Sequence, residues 1–181
     1  MSLKYAILSM LVESEKSGYD LNKHFEKSIG YYWSASHQQI YKTLGNLLAD
    51  ELVSLSLTEQ SGKPDKKLYT LTTGGREALK VWALASVKPS PTKNQLLIKV
   101  LLARLVGPEP IIEQLNVRLK EVYAEVAHYA KIEKQYFTPK PGPDTHLKNT
   151  TQYLTLRHGV LCAHAELDWL HEAIDTLQGQ F

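Results

Sequence analysis

The stretch SASHQQIYKTLGNLLADELV, residues 34–53, opens on hydrogen-bonding side chains and closes apolar. Ser36 and Gln39 have the spacing of a capping box, in which each side chain satisfies a free N–H group at the start of a helix. The spacing predicts a helix from His37. Ile40, Leu44, Leu47 and Glu51 share one face, flanked by Leu48, and that face packs inward apart from its last residue. Ser36, His37, Gln38, Gln39, Lys42 and Asn46 then lie outward or at the helix start, with no acid before Asp50. Such a surface suits DNA: glutamine pairs with adenine, lysine with guanine or phosphate, serine and histidine with either. The helix start adds N–H groups for a phosphate. Tyr41 is read as closing against the core with its hydroxyl on a phosphate. A merely solvated polar helix face is the alternative, and this stretch alone does not separate the two.

The flanks give that helix a context. Leu3, Ile7 and Leu11 fall at helical spacing. Ser17 to Asp20 resembles a capping box and precedes an apolar stripe of Leu21, Phe25 and Ile29. After the quoted helix, LVSLSLT alternates with period two, placing Val53, Leu55 and Leu57 on one side of a half-buried strand. EQSGKPDK reads as a loop, KLYTL as the return strand, and Thr72 or Thr73 as the cap of a further helix. The order helix, helix, helix, strand, loop, strand, helix is that of a winged helix-turn-helix. In the wing, Lys63, Lys66 and Lys67, partly offset by Glu59 and Asp65, are placed to touch phosphates. Three lysines at a turn also suit an ordinary solvated loop.

SVKPSPTKN is rich in proline and serine and reads as a linker. The expected organisation is a winged-helix DNA-binding domain over 1–86, a linker over 87–94 and an all-helical dimerisation domain over 95–181, so the fold class is mainly α. In the second domain LLIKVLLARLV reads as one helix closed by Gly107 and Pro108. The next helix starts near Pro110 and carries Ile112, Leu115, Leu119, Val122, Val126 and Tyr129; TPKPGPD ends it. The last helix carries Tyr153, Leu156, Val160, Ala163, Leu167, Leu170, Ile174 and Leu177 in alternating three-four spacing, the seam of an antiparallel pair or coiled coil.

Composition narrows the classes. The 181 residues are 43% apolar, which supports a packed core. Net charge is only +2, so bulk charge does not announce a polyanion partner. Residues 1–85 carry ten Lys/Arg against nine acids, so DNA affinity would rest on geometry and dimerisation. The single cysteine, Cys162, fits a reducing compartment, and no apolar run is long enough to span a bilayer. The reading is a cytoplasmic protein without a signal peptide.

SLKYAILSML, SGYDL, IGYYWSASHQQIYKTLGNL and PDKKLYTLTTGGREAL together resemble the PadR family of bacterial transcriptional regulators, in order and over roughly the first half of the chain. The helical second half is similar in length and pattern to the larger members, a group that includes virulence-gene activators. Thr73 and Gly74 depart from the family's pattern at a helix start. The resemblance implies a homodimer whose C-terminal helices intertwine, with Leu156, Val160, Leu167, Leu170, Ile174 and Leu177 as dimer contacts. An isolated chain of this size would have trouble burying both long seams. It implies a regulator, a repressor first, acting on a pseudo-palindromic operator in double-stranded DNA.

Other constellations carry less. His164, Asp168 and His171 share a face of the last helix, and His158 with Cys162 lie four apart, but spacing without a full ligand set is weak evidence; no metal or cofactor is expected. Cys162 reads as a small buried hydrophobe. Trp33 and Trp82, near the domain junction, and Tyr123, Tyr129 and Trp169 have the character to line a cleft for a small aromatic effector, and some PadR-type regulators sense phenolic acids; at helical spacing the same residues read as plain core. No nucleophile elbow, phosphate loop or H-E-x-x-H motif is present, which argues against an enzyme. The competing class is a protein–protein adaptor on a degenerate winged helix.

Overall fold

The structure, a computed structural model, describes residues 3–27, 35–60, 63–87, 93–142 and 146–179; side chains 26, 27, 59, 60 and 63–65 are outside the description. The chain divides into two compact units, 1–89 and 90–181. The first holds α1 (Leu3–Met10), β1 (Lys16–Ser17), α2 (Gly18–Lys27), α3 (His37–Ala49), β2 (Val53–Gln60), β3 (Lys63–Leu71) and α4 (Thr73–Leu84). The second holds α5 (Gln95–Leu101), α6 (Ala103–Val106), α7 (Glu109–Tyr136) and α8 (Leu147–Leu177). The fold is mainly helical, with a winged helix-turn-helix first.

Local chemistry starts each helix of the winged unit. At α2 the Ser17 hydroxyl donates to the Asp20 carboxylate at 2.7 Å and accepts from the Asp20 N–H at 3.1 Å, a capping box built with aspartate. At α3 the Ser36 N–H donates to Gln39 Oε1 at 2.8 Å and the Gln39 N–H donates to Ser36 Oγ at 3.3 Å. Thr72, not Thr73, caps α4, accepting from the Gly75 N–H at 3.0 Å. Helix α3 ends sooner than the face drawn through Glu51. The Leu52 N–H returns to the Leu47 carbonyl at 2.9 Å and the Glu51 N–H to Leu48 at 3.1 Å, a Schellman turn with Glu51 at φ 55°. The core beneath comprises Ile7, Leu8, Leu11, Leu21, Phe25, Ile40, Leu44, Leu47, Val53 and Tyr69. Each such aliphatic burial is worth about 1.5–3 kcal/mol. Ile29, expected on the α2 stripe, lies outside the described residues.

The sheet differs from the reading in three ways. It has three strands in the order β1-β3-β2, because the two-residue strand Lys16–Ser17 pairs antiparallel with Leu68–Tyr69. A segment so short has no period to read. The hairpin is longer than expected: EQSGKPDK is mostly strand, and ladder pairing reaches Gln60 with Lys63. Burial also fades along it. Val53 is buried, Leu55 is half-exposed and Leu57 is 61% exposed. Among the described hairpin residues only Val53 and Tyr69 are buried, so the wing beyond them carries no core of its own.

In the second unit LLIKVLLARLV is not one helix. It breaks at Leu102 into α5 and α6, capped at its start by Asn94. Helices α7 and α8 pack antiparallel around Ile111, Leu115, Val122, Tyr129, Leu156, Ala163, Leu167, Leu170 and Ile174. Across this seam Arg118 grips Glu166 with two hydrogen bonds, of 2.8 and 2.9 Å, and also reaches Glu125 at 3.0 Å and Glu121 at 3.1 Å. Glu166 above all holds the guanidinium charged, above the ordinary arginine value, against the opposing effect of burial.

Two expectations fall here. The long seams do not need a second chain, because α7 and α8 bury each other. Leu156, Leu167, Leu170 and Ile174 are buried within the chain, with Val160 and Leu177 packed partly buried against them, so this inward face is not free to meet a partner. Cys162 is exposed rather than buried.

Candidate nucleic-acid interface

Helix α3 presents two chemically opposite faces. Ile40, Leu44 and Leu47 are fully covered, while Ser36, His37, Gln38, Gln39, Lys42 and Asn46 are exposed. Gln38, Lys42 and Asn46 are four apart and form one outward stripe of donors and acceptors. Ser36 and Gln39 are used differently. Their side chains are committed to the capping box, so they set where α3 begins.

Tyr41 is 41% exposed and is not part of the buried core. Its ring lies over Gly18, at the first residue of α2, and stacks obliquely on His37 at 4.4 Å between centroids. Burial first, and then the neighbouring Tyr41, push the Tyr69 phenol above the ordinary tyrosine range. Gly18 carries no local sign of this contact; its nearness to Tyr41 is purely tertiary.

The three wing lysines stand in different situations. Lys67 is exposed, across the ladder from Leu57. Lys66 is half-buried, and its ammonium lies 3.0 Å from Asp20 Oδ2. Ser17 above all, then Lys66, hold the Asp20 carboxyl below the ordinary carboxylate range, with burial opposing. Lys66 therefore ties the wing to the α2 start. The side chain of Lys63 and residues 61–62 lie outside the description.

The remaining candidates stay apart. Among the described residues no three His, Cys, Asp or Glu side chains gather at one point. His158 approaches Cys162 Sγ at 3.7 Å, and His171 pairs with the Tyr123 hydroxyl at 2.9 Å. Of the aromatics, Trp82 stacks on Tyr5 at 4.7 Å, Tyr129 is buried over Gly159 and Trp169 packs against the α7–α8 core. Trp33 lies outside the described residues. No described helix is long and apolar enough to cross a membrane.

Known proteins share this arrangement. Residues 7–81 match the family described as transcriptional regulator PadR-like, and residues 92–178 match that described as virulence activator alpha C-term. A probable transcriptional regulator of Mycobacterium tuberculosis is 32% identical, spanning 98% of both chains. The crystal structure of Bacillus subtilis PadR in complex with operator DNA superposes with a TM-score of 0.86 at 26% identity, covering 98% of this chain and 99% of that one. The Vibrio cholerae virulence activator AphA superposes with a TM-score of 0.82 at 30% identity, covering 99% and 100%. The winged helix, the helical second unit and these full-length likenesses together make the chain a member of the PadR-like family of transcriptional regulators, a family of regulators and not of enzymes.

Proposed function

We propose that this protein is a cytoplasmic, homodimeric DNA-binding repressor. Helix α3 enters a major groove with Gln38, Lys42 and Asn46 facing base edges and His37 at its leading end. Lys67 and the wing lie along the phosphates. The two copies read half-sites about one helical turn, ~34–36 Å, apart on a pseudo-palindromic operator. The observation that carries this reading is the exposed, acid-free polar stripe of α3 on a helix whose other face is fully buried. Operator DNA in the structure of the Bacillus subtilis relative supports it.

The dimer surface has to be sought outside the buried α7–α8 seam. Helices α5 and α6 expose Leu97, Ile98, Leu101, Leu105 and Val106, with Leu101 and Leu105 at 73% and 77%. So dense an exposed apolar run marks an interaction surface, and a second copy is the occupant that a two-fold operator requires. Light scattering on wild type is expected to give a dimer, and Leu101→Asp with Leu105→Asp a monomer of unchanged helicity. An effector, with phenolic acids as the first probes, would act by changing the angle between the two winged helices.

The test of DNA reading is selection of duplexes from a random-sequence pool, followed by fluorescence anisotropy on the winner and a scrambled copy. Gln38→Ala with Lys42→Ala should weaken the selected duplex by roughly 100-fold, since each good bidentate pair discriminates by about 1–3 kcal/mol. Lys67→Ala should weaken both duplexes alike and flatten the salt slope. Unchanged affinity in the double variant refutes the assignment of α3. Failure to enrich any sequence, with no DNA binding at low salt, would favour the adaptor.

A further inference from the structure

Gly18 is buried where β1 passes into α2. A Cβ built on it would stand 2.7 Å from both Cε1 and Cζ of Tyr41 and 2.8 Å from its hydroxyl oxygen. The backbone at Gly18 is not left-handed, so conformation does not demand glycine there. Space does: the ring of Tyr41 rests on the bare backbone. The floor beneath the ring is pinned on two sides, by the Ser17–Asp20 capping box and by the Asp20–Lys66 ion pair to the wing. Tyr41 in turn carries His37, one helical turn earlier on α3, in ring contact at 4.4 Å and a 39° tilt.

His37 is exposed at the leading end of α3. An exposed imidazole on a helix end samples several rotamers, and a base contact has to freeze one of them. A ring contact to a fixed neighbour pre-orders it, and pre-ordering strengthens the matched duplex more than a mismatched one. Tyr41 is placed by its rest on α2, and α2 can receive it because residue 18 lacks a side chain.

We propose that Gly18 and Tyr41 are positioning residues for His37 and so set operator selectivity, Tyr41 through its ring rather than through a hydroxyl on a phosphate. The proposal rests on the reading that α3 faces the major groove. It gives a role in specificity to Gly18, a residue on α2 with no side chain of its own.

The probes are the duplex that wild type selects from a random-sequence pool and its scrambled copy, both measured by anisotropy, with selectivity taken as the ratio of the two affinities. Tyr41→Phe is expected to keep the wild-type ratio, because the ring remains. Tyr41→Ala and Gly18→Ala are each expected to lower it roughly fivefold to tenfold, the scale of one side chain's rotamer freedom. The three atoms nearest the new Cβ all belong to the far end of the Tyr41 side chain, so Gly18→Ala should displace the ring at little cost in melting temperature. In a His37→Ala background both losses should vanish, and Gly18→Ala should add nothing to Tyr41→Ala. The proposal is overturned if Tyr41→Phe weakens both duplexes alike, which would mark a phosphate contact. It is equally overturned if the Gly18→Ala loss persists without His37. If no duplex enriches with wild type, the reading of α3 fails first, an outcome distinct from enrichment followed by independent single-site effects.

Discussion

Gly75→Ala tests the junction that holds the wing to the recognition helix. Gly75 is the third residue of α4, and a Cβ there would stand 2.0 Å from the Leu52 carbonyl oxygen and 3.0 Å from its carbon, with Leu71 Cδ1 at 2.8 Å. The first two obstacles are backbone, so no side-chain rotation relieves them. Leu52 is also the hinge of the fold here. Its N–H closes the Schellman turn of α3 on Leu47, and its carbonyl accepts from the Thr72 N–H at 3.2 Å. Making room costs about 1–3 kcal/mol of overpacking. It also strains the Thr72–Leu52 hydrogen bond, worth about 1 kcal/mol, and this is offset in part by the better helix propensity of alanine, up to about 1 kcal/mol. The net expectation is a loss of roughly 1–3 kcal/mol, or about 4–24 °C in the melting of a domain this size. The assay is scanning calorimetry with circular dichroism at 222 nm, alongside Gly45→Ala as the matched control. Gly45 sits mid-α3 with nothing within 4 Å of a built Cβ, so the same substitution should stabilise by about 0.5–1 kcal/mol. Opposite signs are the expected result. A Gly75→Ala melting temperature within a few degrees of wild type, or both variants shifting upward, would refute the close approach of α4 to Leu52.

Further outcomes follow from the same contacts. Ser36→Ala removes the hydroxyl half of the α3 capping box, leaving the Gln39 N–H without its acceptor, and should cost about 1 kcal/mol in urea unfolding, with a matching fall in affinity for the selected duplex. Arg118→Leu leaves Glu121, Glu125 and Glu166 without their shared cation and should lower the urea midpoint by the equivalent of about 1–3 kcal/mol, a loss that added salt partly restores. Asp20 has a folded pKa below its unfolded one, so the Ser17 hydrogen bond first and the Lys66 ion pair second stabilise above the unfolded carboxylate value, near 3.9, and that stability is lost as pH falls through the folded value. Asp20→Asn should therefore be less stable than wild type at pH 7 by under about 1 kcal/mol, since both partners are partly exposed, with the gap closing in strong acid. Glu51→Gly should gain stability, because residue 51 holds a left-handed φ that glycine adopts without cost.

The sequence by itself determined the helix starts, the apolar faces and the order of elements. The boxes at Ser17–Asp20 and Ser36–Gln39 and the stripe Ile40–Leu44–Leu47 are legible because every partner lies three or four residues away, so spacing alone reports the contact. The polar face of α3 followed from the same arithmetic. What spacing could not report is which of two candidate surfaces meets which. The heptads of α8 are as consistent with a second chain as with α7, and only the tertiary pairing, with Arg118 on Glu166, turns Leu167 and Leu170 inward and leaves Leu101 and Leu105 bare. That Asp20 stands beside Lys66, 46 residues later, is likewise set by the fold and not by any local spacing. Two residues of β1 have no period to read and exist as a strand only because β3 lies alongside. Gly18 and Gly75 look like loose helix starts in one dimension; in three, the ring of Tyr41 and the backbone of Leu52 occupy the space a side chain would need, and that proximity is a property of the fold rather than of any local stretch.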